Sequence, residues 1–92
     1  MIRSFRHKGL KRLYEDGDRS GLRQDMVERI GGVLATLDDA ESIQEINRPT
    51  LRLHSLKGEL AGYWAVTVRA NWRIIFRFEA GGVFDVDLVD YH

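Results

Sequence analysis

The chain of 92 residues has no cysteine, and that absence excludes disulfides, thiolate nucleophiles and cysteine-ligated metals. It fits a reducing compartment, and a cytoplasmic setting is expected. There is a single proline, Pro49, and no glycine- or serine-rich linker, so one domain over residues 1–92 is expected. No apolar run approaches the roughly 18 residues that would cross a bilayer. The opening Met1-Ile2-Arg3-Ser4-Phe5-Arg6 lacks the apolar stretch of a signal peptide. No membrane association is therefore expected. Net charge is also lacking: 14 basic residues balance 14 acidic ones.

The charges are nevertheless segregated. Residues 1–23, 24–47, 48–73 and 74–92 carry +4, −5, +4 and −3. A basic band can exist on a neutral protein, and such a band suits an anionic partner.

Periodicity divides the chain at Pro49. Ile2–Phe5 reads as a short strand. A helix is expected from about Lys8 to Asp16, with Gly17 ending it. Ser20 is placed to cap a second helix whose apolar stripe is Leu22, Met26, Val27, Ile30, Val33, Leu34 and Leu37. Gly31-Gly32 interrupts that stripe against helix propensity, and close packing on another element would account for it. Asp39 is placed to cap one further turn through Ile43 and Ile46. After Pro49 the period becomes two. Four strands are expected, around Leu51–Leu53, Trp64–Val68, Trp72–Phe78 and Phe84–Leu88, as an antiparallel meander. Helices first and strands later make an α+β fold, with the N-terminal helices packed on one face of a mainly antiparallel sheet.

Matching apolar residues across strands predicts a register. Val68, Val66 and Trp64 should oppose Ile74, Phe76 and Phe78, around a loop Ala70-Asn71-Trp72. Phe78, Phe76 and Ile74 should oppose Phe84, Val86 and Leu88, around a loop Ala80-Gly81-Gly82. The other face then carries Arg52, His54, Arg69, Arg73, Arg77, Asp85 and Tyr91. Arg77 should pair with Asp85. Arg69 should lie opposite Arg73, a like-charge pair that a bound phosphate would relieve. Asp90 falls on the opposite parity, across from Trp72.

The chemistry available in this half is that of RNA cleavage without a metal. His54 and His92 suit proton transfer near neutral pH. Lys57 and Arg73 suit a phosphate and the charge that develops on it. Tyr91 offers a ring for stacking on a base and a hydroxyl. Asp90 can orient a histidine. No metal site is expected, because the histidines lack ligand spacing. A frayed, inert tail at Asp90-Tyr91-His92 is the plain alternative.

The segments Met1-Ile2-Arg3-Ser4-Phe5 with His7-Lys8-Gly9-Leu10-Lys11, Leu53-His54-Ser55-Leu56-Lys57-Gly58, Gly62-Tyr63-Trp64, Val68-Arg69-Ala70-Asn71-Trp72-Arg73-Ile74 and Val89-Asp90-Tyr91-His92 occur in an order that resembles the HigB toxins of the RelE superfamily. The resemblance implies a RelE-like fold. It also implies a toxin that acts as an endoribonuclease on mRNA in the aminoacyl site of the ribosome, in contact with ribosomal RNA, without a cofactor. The RNA's own 2′-hydroxyl would be the nucleophile. It further implies a helix-turn-helix antitoxin of the HigA type, through which alone the toxin would reach operator DNA. The family's functional positions fall on His54, Lys57, Arg73, Asp90, Tyr91 and His92, with Arg69 as a phosphate contact. Either histidine can be acid or base. Two alternatives stay open: a non-catalytic partner of the antitoxin in operon repression, and a ribosome-independent ribonuclease.

Overall fold

The computed structural model describes residues 1–91; His92 lies outside the described residues. The first helix, α1, spans Lys8–Asp16 as its pattern requires. His7 caps it: Nδ1 accepts a hydrogen bond from the Leu10 amide at 3.2 Å, which occupies the third histidine structurally. Gly17 ends it in the left-handed conformation at φ 68°.

The second helix, α2, runs over Val27–Asp39, later than Ser20 would have begun it. Ser20 instead bonds back to Asp18, donating from both Oγ (2.7 Å) and its amide (3.0 Å), and residues up to Met26 turn rather than coil. The apolar stripe from Leu22 to Leu37 is buried throughout. Its glycines do not make the close approach expected of them. A methyl group added at Gly31 or Gly32 would meet nothing within 4 Å. The crowded glycine is Gly9, where a Cβ would lie 2.7 Å from the Gly21 carbonyl oxygen. Asp39 closes α2 instead of capping the next turn, which is a 3-10 turn at Ile43–Glu45 preceded by Ser42.

The sheet contains β1 (His54–Ser55), β2 (Trp64–Arg69), β3 (Trp72–Glu79) and β4 (Gly82–Asp90), antiparallel in that order. The first strand lies later than its alternation predicts: residues 51–53 form a turn, and pairing with β2 begins at His54. Arg52 adopts φ 51°, which breaks the extended run, though the Leu51 carbonyl still accepts from the Thr67 amide at 2.8 Å. Ile2 and Phe5 form parallel bridges with Val83 and Val86, so the N-terminal segment covers the free edge of β4 over its first half.

The observed register corrects the predicted one. Val66 opposes Ile74 and Trp64 opposes Phe76, a slip of two residues. The β2–β3 loop has two residues, Ala70-Asn71, and a bulge between Thr67 and Arg69 absorbs the difference. A two-residue slip keeps every side chain on its face, which is why burial alone cannot detect it. Between β3 and β4, Ile74–Leu88 and Arg73–Val89 pair as expected, but a second bulge follows. Beyond it Arg77 opposes Phe84 and Phe78 opposes Val83. The turn is Ala80-Gly81, both at positive φ as a two-residue hairpin demands.

The main core lies between the helices and one sheet face, where Leu10, Ile30, Leu37, Val66, Ile74, Phe76 and Val86 are fully enclosed. A smaller cluster on the other face buries Leu56, Ala65 and Ile75 under Leu60 and Tyr63. The second face is therefore roofed near β1 and open towards the β2–β3 turn.

Candidate functional site

Strand pairing sets the geometry of this second face. One row crosses all four strands: His54, Ala65, Ile75, Asp87. The next row towards the β2–β3 turn is Thr67, Arg73, Val89. Tyr91 follows Val89 on the same parity, and its amide donates to the Asn71 carbonyl at 2.8 Å. The tail is therefore part of the sheet through Tyr91, whose side chain is about half exposed at 47%. Asp90 opposes Trp72, as the alternation predicts.

Arg73 folds towards the turn. Its Nη1 donates to the Ala70 carbonyl at 2.6 Å and to that of Trp72 at 3.3 Å. Its Nε is buried with no hydrogen-bond partner among the described residues, a costly state for a charged donor. A guanidinium held this way has donor capacity to offer an incoming anion.

His54 is exposed on β1. Its Nδ1 lies 3.0 Å from the Arg52 carbonyl oxygen. A carbonyl only accepts, so Nδ1 carries the hydrogen in the neutral ring and Nε2 keeps its lone pair. His54 and Arg73 lie two strands apart across the sheet and two residues apart along it, which separates their backbones by roughly 12 Å. Lys57 is exposed just before the 3-10 turn Gly58–Leu60, two residues beyond β1. The face thus brings Arg73 and Tyr91 together at one end and places His54 and Lys57 at its β1 margin. The expectation for His92 falls outside the described residues.

Arg69 is where the structure departs from the sequence argument. The bulge puts Arg69 opposite Trp72, whose ring packs into the main core, rather than opposite Arg73. Its guanidinium turns to the helical side and donates to Asp25 Oδ2 at 2.6 Å. The like-charge pair does not form. Arg77 pairs with Asp85 (Nε–Oδ2, 2.9 Å) as expected, and Glu79 and the Phe84 ring also hold it.

Two contributors escaped the sequence reading. Tyr63 precedes β2 on outer-face parity, a signal that was there to be used. Its hydroxyl receives a hydrogen bond from Arg6 Nη1 at 3.5 Å. That bond, followed by the nearby Asp87 and Asp85 charges, raises the Arg6 pKa above its already high value. Asp25 is 44 residues from Arg69 and had no signal in the sequence at all.

This arrangement, two helices on one face of a four-stranded antiparallel sheet, is an α+β fold shared with solved toxin structures. Residues 3–92 match the family described as RelE-like toxin of type II toxin-antitoxin system HigB. "Endoribonuclease HigB" of Proteus vulgaris is 50% identical over 92 residues, the full length of both chains. The chain belongs to the HigB-like toxins. Among solved structures it is similar to the YoeB of a heterotetrameric YoeB–YefM toxin–antitoxin complex from Staphylococcus aureus (TM-score 0.62, 16% identity, covering 100% of this chain and 98% of that one). It is also similar to a YoeB/ParE toxin from Agrobacterium tumefaciens (TM-score 0.58, 19% identity, 100% and 99% covered). Both likenesses concern the fold. No helix among the described residues is long and apolar enough to cross a membrane.

Proposed function

We propose that this protein is an endoribonuclease that cuts mRNA in the aminoacyl site of the translating ribosome and so arrests translation. The full-length identity to a relative named as an endoribonuclease carries this reading. The open sheet face supports it, because that one face offers a proton-transfer group, cations and an aromatic edge.

In the proposed reaction the RNA 2′-hydroxyl attacks the neighbouring phosphorus, and no metal takes part. One residue removes the hydroxyl proton and another protonates the departing 5′-oxygen. His92 is the principal proton-transfer group, with Asp90 and His54 in support. The lone pair on His54 Nε2 suits a base in the neutral ring. Lys57 and Arg73 bind the scissile phosphate, and the unpartnered Arg73 Nε gains an acceptor when the guanidinium swings from the Ala70 carbonyl to a phosphate oxygen. Tyr91 stacks on or orients the nucleotide. Arg69 contacts the backbone next to the cut. The toxin is held inactive in the cytoplasm by a helix-turn-helix antitoxin of the HigA type, and the complex meets operator DNA only through that antitoxin.

Cleavage of a defined mRNA on programmed ribosomes tests this. Wild type should cut within the aminoacyl-site codon, and His92→Ala should lose at least about a hundredfold in rate, the scale of a lost general acid or base. Intact mRNA with wild type, or equal cutting by His92→Ala, rejects it.

A further inference from the structure

At the open end of the sheet an acidic side chain is shared between two arginines from distant parts of the chain. Asp25 lies in the turn before α2. Arg23 grips it with two bonds, Nε to Oδ1 at 3.2 Å and Nη2 to Oδ2 at 2.9 Å. Arg69, the last residue of β2, donates Nη1 to the same Oδ2 at 2.6 Å. The side chains of Arg23, Asp25 and Arg69 are 58%, 42% and 60% exposed. The cluster carries one net positive charge and faces water.

Its position is what gives it meaning. Arg69 adjoins the Ala70-Asn71 turn. Arg73 Nη1 bonds to the carbonyl of Ala70, and the Tyr91 amide bonds to that of Asn71. The turn therefore has candidate site groups bonded to it on one side and the Arg23–Asp25–Arg69 cluster on the other. A carboxylate gripped at two oxygens by one guanidinium and at one by a second presents the acceptor pattern of a phosphodiester. Exposed ion pairs of this kind hold weakly, so a competing anion can replace the carboxylate.

We propose that Arg23 and Arg69 form a binding site for a backbone phosphate of single-stranded RNA, filled by Asp25 in the free protein. The incoming phosphodiester takes over the guanidinium bonds, and the Asp25 carboxylate returns to water. The site lies across the Ala70-Asn71 turn from Arg73, on the helical side of the sheet. It assigns Arg23 to RNA binding and explains how Arg69 can serve the strand although the bulge turns it from Arg73. The inference rests on RNA being the substrate, as proposed above.

Affinity for a fluorescent single-stranded RNA carrying 2′-O-methyl groups, which cannot be cut, tests it over a series of KCl concentrations. Asp25→Asn should bind roughly threefold to fivefold tighter, the range of a released exposed ion pair. Its log–log salt slope should stay close to that of wild type, because the same phosphate is bound in both. Adding Arg23→Gln to Asp25→Asn should abolish the gain. Asp39→Asn makes the same charge change at the end of α2 and should give a smaller effect. Equal binding by Asp25→Asn and wild type, or an equal gain from Asp39→Asn, overturns the inference. Cleavage on programmed ribosomes is scored separately. If it is absent while the binding gain persists, the endoribonuclease reading falls and the phosphate site stands.

Discussion

Asp38 Oδ1 accepts two hydrogen bonds from parts of the chain that are far apart in sequence. The Ile2 amide donates at 2.9 Å and the Tyr14 hydroxyl at 2.7 Å. The Tyr14 bond first, then the Ile2 bond, hold the Asp38 pKa below the usual carboxylate range, while the same tyrosine bond raises the Tyr14 pKa above 10. The signs oppose each other usefully. A lowered carboxylate pKa gives stability that is present above the unfolded value of about 3.9 and lost as pH falls through the folded one. A raised phenol pKa gives stability that is present below its unfolded value and lost as pH rises through the folded one. One bond thus shapes both limbs of the pH–stability curve. Asp38→Asn should lower stability at pH 7 by about 1 kcal/mol and flatten the acid limb. Tyr14→Phe should flatten both. Urea unfolding at a series of pH values measures this, and an acid limb unchanged in both variants would refute it.

At the scale of elements, α2 carries a correctable flaw. Gly31 and Gly32 stand in mid-helix with open space where a methyl would go. Each costs a helix about 1 kcal/mol relative to alanine. Gly31→Ala and Gly32→Ala should each raise the denaturation midpoint, by up to about 1 kcal/mol in stability, and the double variant should gain nearly the sum. Gly9→Ala should do the reverse, because its Cβ meets the Gly21 carbonyl. The contrast shows where the sequence was readable. Hydrophobic spacing identified both helices, three of the four strands and the face of every strand residue that alternates regularly. It placed His54, Arg73 and Tyr91 on one face. It failed where one residue is inserted, because a bulge leaves the apolar pattern intact while exchanging partners. That single event at Val68 turned Arg69 from Arg73 to Asp25. The two-residue turns were missed for a related reason, since Ala70 and Ala80 take positive φ without the glycine or asparagine that would announce it. Ser20 failed as a cap because Asp18 is nearer in sequence and holds its hydroxyl.

For the molecule as a whole, folding and the proposed chemistry are drawn from different parts of the chain. The enclosed core comes from the helices, β2, β3 and the first part of β4, where the N-terminal segment covers the edge. The proposed reactive groups sit at the margins: His54 and Lys57 beside the short β1, and Asp90-Tyr91 at the end of β4. Asp90 and Tyr91 are both exposed, and neither belongs to the core. A chain ending at Val89 should therefore still fold, keeping all of the core while losing the pairing opposite Asn71 and Trp72. Calorimetry should show one cooperative transition. A loss of about 1 kcal/mol would lower its midpoint by roughly 4–8 °C for a domain of this size. Cleavage on programmed ribosomes should fall by at least about a hundredfold, because the shortened chain lacks both Tyr91 and His92. A shortened chain that still cuts would move the chemistry to the His54 margin. One that fails to unfold cooperatively would mean that the tail completes the fold, and the division between core and reactive margin would be wrong.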